Sequence, residues 1–377
     1  MTVPYLPLNR ITAMHADEIH KAVSHVIDSG WYLRGEATAR FEESYARYIG
    51  THHCIAVANG LDALTLILRA YIELGLLREG DEVIVPANTY IATILAITEN
   101  RLVPVLVEPR LDTFQIDDRL IEQAITSRTR ALMLVHLYGR CAYTEHIAAI
   151  CRHHHLILLE DNAQAHGAAP AHGFYPGKNL GALGDGGAVT TNDTQLAAVI
   201  RSMANYGSSR KYVFDYRGRN SRLDELQAAV LSVKLRYLDA DNRRRCEIAA
   251  YYINHVENPC VTLPKPSPCP PSHNTLGCSA AEASASLSNV YHIFPVLTPR
   301  REQLQHYLSG NGVQTVVHYP IPPHRQRCYP EWHALSLPIT EHIHREELSL
   351  PCHPAMTRQE VDRVVELLNA FEGKEHP

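Results

Sequence analysis

One lysine of this chain stands in a setting that suits a nucleophile. Lys178 lies in FYPGKNLGALGDGGA (residues 174–188), among five glycines and one proline. Most lysines are solvated surface charges, but glycine lets the backbone approach a ligand closely. An amine that forms a Schiff base must be uncharged, so its pKa has to fall. The segment predicts such a lysine, and it does not match the GxGxxG pattern of a dinucleotide loop.

A carboxylate stands at the end of a buried strand pattern. Asp161 closes the apolar run LILLED, residues 156–161. One interpretation is a helix cap or turn residue, and position alone leaves this alternative even with a functional one. The functional interpretation is an anion held against the ring nitrogen of pyridoxal phosphate, which keeps the pyridinium protonated and the ring an electron sink.

Three further positions follow strand patterns. Asn59, Gly60 and Leu61 join the first strand to the first helix, where backbone N–H groups could seat a phosphate or simply form a turn. Tyr90 follows the second strand and could lie against a flat ring or pack as a core aromatic. His318 ends a later strand pattern and is a candidate site residue. The consecutive histidines 153–155 point in different directions, so we predict no metal site there.

The order of the elements predicts an α/β fold. Strand patterns alternate with helical patterns at about 61–73, 90–98, 117–125 and 143–153. The nearly continuous apolar strands predict a mainly parallel sheet with helices on both faces. Ligands bind beyond the carboxyl ends of such strands. The predicted strands are Cys54–Val57, Glu82–Val85, Val103–Val107, Ala131–Val135 and His155–Leu159.

The last third of the chain changes character. Residues 259–289 are rich in Pro, Ser and Ala, which is typical of a loop or linker. Patterns after it predict a small α+β domain, with helices near 300–311 and 357–372. We therefore divide the chain into a large cofactor-binding α/β domain, 1–240, and a small C-terminal domain, 241–377, that contains the linker.

Composition excludes several classes of protein. The net charge of −5 and the pI of about 6.5 give no basic field for nucleic acid or for an anionic membrane. No apolar run reaches the roughly 18 residues of a membrane span, and no signal-peptide pattern opens the chain. The nine cysteines are scattered without a CxxC pair. We therefore expect reduced thiols, no metal site and a cytoplasmic location.

Several segments together resemble a known enzyme family. They are VANGLDALTLILRA, VPANTYIATILAI, EDNAQAHGA, FYPGKNLGALGDGGAVTTND, ANYGSS, GRNSRLDELQAAVLSVKL and HYPIPPHRQRCY. The chain resembles, over nearly its whole length, the DegT/DnrJ/StrS family of nucleotide-sugar aminotransferases. The resemblance implies the fold-type-I architecture of pyridoxal-phosphate transferases.

The resemblance also implies roles for particular residues. Lys178 would carry pyridoxal 5′-phosphate as a Schiff base, and Asp161 would meet its ring nitrogen. The other cofactor-binding residues would be Gly60 and Leu61 at the phosphate, Tyr90 stacked on the ring, Gln164 by the ring hydroxyl, and Asn220 reaching the phosphate of a partner in a homodimer. SGWYLRGE, the NGLDAL loop and HYPIPPH look closest to enzymes that act on dTDP-3-keto-6-deoxyhexoses, with glutamate as amino donor. Substrate candidates are Tyr32, His318 and Tyr319.

The chain departs from the family pattern before the lysine. Segment 162–177 is short, and Gly173 stands where the resemblance implies a serine that binds the phosphate. An extended stretch of that length still reaches about 50 Å, so Asp161 and Lys178 can meet one cofactor. The shortened segment motivates an alternative, a non-catalytic binding or regulatory relative. A sugar dehydratase is disfavoured, since related dehydratases have histidine in place of this lysine.

Overall fold

A computed structural model of the chain describes residues 1–168, 173–267 and 288–372. A parallel sheet of four strands in the order β3-β2-β4-β5 forms its centre. A separate antiparallel pair joins β1 to β6. The strands are β1 His53–Val57, β2 Glu82–Pro86, β3 Val103–Val107, β4 Thr129–Val135, β5 Ile157–Asp161, β6 Gly187–Thr191, β7 Ser208–Arg210, β8 Val213–Phe214, β9 Phe294–Leu297 and β10 Glu347–Leu350.

Helices connect and cover these strands. In chain order they are α1 Leu8–Ala13, α2 Ala16–Ser29, α3 Glu36–Ile49, α4 Gly60–Glu73, α5 Ile91–Glu99, α6 Glu145–His154, α7 Thr194–Met203, α8 Glu225–Leu235, α9 Leu238–His255, α10 Arg301–Gly310, α11 Pro338–Glu346 and α12 Arg358–Ala370. Side chains cap the start of some of these helices. The side-chain oxygen of Asn59 accepts the N–H of Asp62 at 2.8 Å before α4, and a capping box of Thr357 and Glu360 begins α12.

The sheet is buried on both faces because its side chains alternate between two cores. Val83 and Val85 of β2 pack into the core that includes α4, α5 and α7. Ile84, between them, packs into a core with Ile147 and Ile150 of α6. Helices therefore cover both faces, and the predicted α/β fold with a parallel sheet is confirmed.

Another core lies in the C-terminal part of the chain. It joins α9, β9, α10, β10 and α12, and it also takes in Val3 from the N-terminus. The division into domains 1–240 and 241–377 stays a prediction. Most of the predicted linker, residues 268–287, lies outside the described residues.

Three expectations about local structure are wrong. The first predicted strand, β1, is not part of the parallel sheet, since it pairs antiparallel with β6. The helix predicted at 117–125 is two short 3₁₀ turns, Asp118–Leu120 and Glu122–Ala124. Cys246 is disulfide-bonded, so the expectation of reduced thiols fails there. The free cysteines among the described residues are Cys54, Cys141, Cys151, Cys260, Cys328 and Cys352.

Two kinds of feature are missing from residues 1–168, 173–267 and 288–372. None of the helices in these ranges has the length and apolar character needed to cross a membrane. Across the same ranges, no group of His, Cys, Asp and Glu side chains is arranged to hold a metal ion. The cytoplasmic location stays a prediction.

Candidate active site

A cavity of 570 Å³ lies where the sequence placed the site, beyond the carboxyl ends of β4 and β5. Its lining residues come from the turn before α4, the start of α5, the end of β5, the glycine-rich segment around Lys178 and the C-terminal part of the chain. The predicted site residues that line it are Gly60, Leu61, Tyr90, Asp161, Gln164, Lys178, His318 and Tyr319.

Lys178 lies in a tight turn at the wall of this cavity. Its backbone N–H donates to the carbonyl oxygen of Tyr175 at 2.8 Å. Burial lowers the pKa of its amine to about 8, and the nearby carboxylate of Asp161 opposes that shift. A far larger fraction of this amine is therefore uncharged at neutral pH than of an ordinary lysine, as a carbonyl-directed nucleophile requires.

Asp161 is held by neighbours on both oxygens. Its Oδ2 accepts the hydroxyl of Thr93 at 2.8 Å, and its Oδ1 accepts the backbone N–H of Ala163 at 3.2 Å. Thr93 in turn shares a 2.8 Å hydrogen bond with Thr89. Asp161, Thr93 and Thr89 are all buried. The carboxylate therefore has a fixed orientation at the cavity wall.

Gln164 links two parts of the cavity wall. Its Oε1 accepts the backbone N–H of Tyr138 at 2.6 Å, and its Nε2 donates to the hydroxyl of Tyr319 at 3.0 Å. Tyr138 has a φ of 62°, which turns its N–H toward Gln164. The ring of Tyr319 lies 5.0 Å from that of Tyr90 at a 37° tilt. Half of the Tyr90 surface stays exposed, as expected of a ring that can take a stacking partner.

The turn before α4 forms another part of the cavity wall. Gly60 and Leu61 begin this 14-residue helix, whose first N–H groups carry partial positive charge. The backbone there packs closely against Gly187, because a Cβ at Gly187 would lie 2.3 Å from the Asn59 oxygen. Gly173 is also adjacent, since its own Cβ would lie 3.4 Å from Cα of Gly60. The residues suit an anion at this end.

Residues 13–369 match the model of the DegT/DnrJ/EryC1/StrS aminotransferase family. The chain belongs to this family. It is 50% identical to a protein of Aneurinibacillus thermoaerophilus named dTDP-3-amino-3,6-dideoxy-alpha-D-galactopyranose transaminase, over 98% of this chain and 99% of that protein.

Solved structures of other family members have the same fold. The structure of S. venezuelae DesV in complex with a ketimine intermediate superposes with a TM-score of 0.90 at 40% identity, covering all of both chains. The structure of ntda from Bacillus subtilis with bound cofactor PMP superposes with a TM-score of 0.84 at 32% identity, covering 97% of this chain and 84% of that one. The chain is an aminotransferase of this family.

Two residues that the resemblance placed at the site do not line the cavity of this aminotransferase chain. Asn220 is exposed on the segment that follows the β7–β8 hairpin, where its backbone forms an isolated antiparallel β-bridge with Asn205. Tyr32 is 51% exposed, next to Trp31 at 64%. Within one chain neither is brought to Lys178, so a role in catalysis would have to be exerted on another copy.

Other cavity residues escaped the sequence analysis. His292 lines the cavity, and its Nδ1 lies 3.0 Å from Oδ1 of Asn179, the residue after Lys178. Burial, and then the positive charge of Lys178, hold the pKa of His292 well below its usual range. Tyr5 and Cys352, from the two ends of the chain, also line the cavity. Only the tertiary fold brings these distant segments to the glycine-rich turn.

Proposed function

We propose that this aminotransferase uses pyridoxal 5′-phosphate to move an amino group from glutamate to a nucleotide-activated keto sugar, a dTDP-3-keto-6-deoxyhexose. The observation that carries the proposal is Lys178, with its lowered pKa, in one cavity with the fixed carboxylate of Asp161. The name of the Aneurinibacillus relative, a dTDP-aminodideoxyhexose transaminase, supports the sugar class.

The residues present fit this cofactor. Asp161 offers an anion for a protonated ring nitrogen, Tyr90 an exposed aromatic face, and the start of α4 a seat for a phosphate. When bound, pyridoxal phosphate supplies an electron-withdrawing ring that stabilises negative charge developing on a substrate carbon.

Lys178 has two tasks in this proposal. Its amine, which reacts in the uncharged form, would hold the cofactor covalently, and in its free form it would act as a base. The released amine is a base with a pKa suited to neutral pH, so it can take a proton from the substrate carbon and return it at a neighbouring atom. Thr93 and the N–H of Ala163 hold the carboxylate of Asp161 in one orientation at the cavity wall.

The active unit that we propose is a homodimer with shared sites. The hairpin of β7 and β8 exposes Tyr212 at 82% and Phe214 at 59% of their surface, and Tyr206, just before the hairpin, is 49% exposed. Exposed aromatic residues in one segment are typical of an interaction surface. A twofold contact there would offer Asn220 to a neighbouring cavity, and the loop at Tyr32 is a second candidate to cross.

The decisive experiment combines absorbance and product analysis. The purified protein with pyridoxal phosphate should absorb in the visible, and borohydride should attach the cofactor to the peptide that contains Lys178. Glutamate and dTDP-3-keto-6-deoxyhexose should then yield the amino sugar, which mass spectrometry detects, whereas the 4-keto isomer should not react. A protein that is colourless after unbound cofactor has been removed would contradict the proposal. Measurable turnover would contradict the non-catalytic alternative.

A further inference from the structure

A buried carboxyl group lies behind His318 on the side away from the cavity. Glu347 and Ser349, both on β10, have no exposed surface. Oε2 of Glu347 accepts the backbone N–H of His318 at 2.6 Å. Its Oε1 is hydrogen-bonded to the hydroxyl of Ser349, and that hydroxyl oxygen lies 2.8 Å from Nδ1 of His318. A continuous chain of hydrogen bonds thus runs from Glu347 through Ser349 to the ring of His318.

Such a chain has a direction, because a serine hydroxyl has one hydrogen. If Glu347 is ionised, Ser349 must donate to it, and the serine oxygen then accepts a hydrogen from Nδ1 of His318. A neutral imidazole with a proton on Nδ1 has a lone pair on Nε2. Within the described part of the chain Nε2 has no hydrogen-bond partner, and His318 lines the cavity. This nitrogen is therefore the one left for a ligand.

We propose that Glu347 and Ser349 are positioning residues that select the tautomer of His318, so that ionised Glu347 gives the cavity a hydrogen-bond acceptor at Nε2. An acceptor of this kind takes the hydrogen of a substrate hydroxyl and does not donate to a keto oxygen. Protonation of Glu347 reverses the direction of these hydrogen bonds. The carboxyl group then donates to the hydroxyl of Ser349, and that hydroxyl donates to Nδ1 of His318. The neutral ring of His318 then carries its proton on Nε2.

The surroundings are consistent with a switch near neutral pH. Burial raises the pKa of Glu347 to about 8, opposed by its bonds to Ser349 and His318 and by the charge of Arg301. The other titratable groups that act on Glu347 are the phenols of Tyr5, Tyr138 and Tyr319, whose pKa values are all raised, mainly by burial. Burial lowers the pKa of His318 to about 4, so its ring is neutral above that pH.

The substrate hydroxyl in this inference rests on the proposed function, but the tautomer does not. The test is therefore a measurement of the ring nitrogens in the full chain without substrate. Protein labelled with ¹⁵N histidine is studied by magic-angle-spinning NMR at pH 9, and His318→Asn identifies the His318 signals. His344 is an internal control, because the carbonyl oxygen of Tyr319 lies 2.7 Å from its Nδ1 and fixes the proton there.

Glu347→Gln is the informative variant because an amide is isosteric with a protonated carboxyl group and can donate to Ser349. In the wild type at pH 9 we expect the His318 proton on Nδ1, in Glu347→Gln on Nε2, and in Ser349→Ala a mixture that does not change with pH. His344 should stay unchanged in all three. In wild-type protein the Nδ1 form should give way to the Nε2 form as the pH falls through about 8.

Kinetics give a second readout. If the sugar hydroxyl binds Nε2, Glu347→Gln should lower kcat/KM for the keto sugar about tenfold at pH 9, with a smaller effect on the amino-donor half-reaction. The same tautomer in wild type and Glu347→Gln, or a positively charged His318 at pH 9, would overturn the relay. If the tautomers are as expected but the enzyme shows no transamination, the proposed function is contradicted and the relay is not. The failure of the relay and the failure of the proposed function are therefore distinguishable.

Discussion

Thr93 and Asp161 form a 2.8 Å hydrogen bond between a hydroxyl of α5 and the carboxylate that ends β5. Both residues are buried, and the residues lie 68 positions apart in the sequence. Because Thr93 donates its hydroxyl hydrogen to Asp161, its oxygen accepts the hydroxyl hydrogen of Thr89. The orientation of Oδ2 of Asp161 thus depends on two threonines that do not line the cavity.

The first prediction removes this hydrogen bond without changing the shape of the side chain. Thr93→Val should weaken binding of pyridoxal phosphate about tenfold, because a hydrogen bond to a charged group is worth roughly 1.5 kcal/mol or more. Equilibrium titration of cofactor absorbance measures the effect. Thr98→Val is the matched control, since Thr98 lies on the same helix and its hydroxyl contacts Tyr329 and backbone oxygens of α5. Equal affinities in the two variants would contradict the role of Thr93.

The second prediction concerns Gly173, where the family resemblance implies a serine. Gly173→Ser should bind the cofactor about tenfold more tightly, because the new hydroxyl would lie beside Gly60 at the predicted phosphate seat. A Cβ at this position would meet the Cβ of Ala163 at 3.2 Å, which is a tight contact. Gly173→Ala is the control, because it shows how much that contact alone weakens cofactor binding. If serine binds the cofactor no better than alanine does, the phosphate is not at this end.

The third prediction is a pH dependence. Only the uncharged amine of Lys178 reacts with a carbonyl group, and with a pKa of about 8 roughly one amine in ten is uncharged at pH 7. The rate at which the cofactor-free protein takes up pyridoxal phosphate should therefore rise about tenfold per pH unit below 8 and level off above it. Stopped-flow absorbance follows the reaction.

Asp161 supplies the control for this pH profile. Its negative charge raises the pKa of Lys178 against the effect of burial, so Asp161→Asn should move the plateau to lower pH. A wild-type profile that still rises at pH 10 would show an ordinary lysine and would contradict the lowered pKa.

The sequence was sufficient for residues whose role follows from their position along a strand. Asp161 ends an apolar run, and parallel strands bring their carboxyl ends to one edge, so its place at the cavity could be predicted. The glycine-rich surroundings of Lys178 were equally informative. The pairing of β1 with β6 could not be predicted, because a buried apolar strand has the same pattern in parallel and antiparallel pairs.

Residues that act through others left no such signal. In the sequence Thr93 is an ordinary helix residue, and Glu347 is one charge in a run of polar residues. Only the fold places Thr93 at Asp161 and Glu347 at His318. His292 precedes a short strand and reaches the cavity only because the C-terminal part of the chain packs against the large sheet. Contacts between segments far apart in sequence decide these roles, and periodicity does not encode them.

The last prediction tests whether the sites are shared between two copies. Asn220 is exposed and does not line the cavity of its own chain, yet the resemblance implies that it binds the cofactor phosphate. Asn220→Ala and Lys178→Ala should each have strongly reduced activity alone, and mixing them should restore activity. In a twofold dimer one site of each mixed pair contains both native residues, so about a quarter of all sites should recover.

Two controls make this result decisive. Exchange of subunits is verified by mass spectrometry of differently labelled chains, and a double variant that carries both substitutions should give no recovery when mixed with Asn220→Ala, because no subunit then supplies Asn220. If exchanged subunits stay inactive, or if sedimentation finds only monomers at micromolar concentration, the shared site is wrong. Recovery near one quarter would mean that Asn220 acts on the neighbouring cavity, because a residue acting within its own chain could restore no site in which Lys178 is absent.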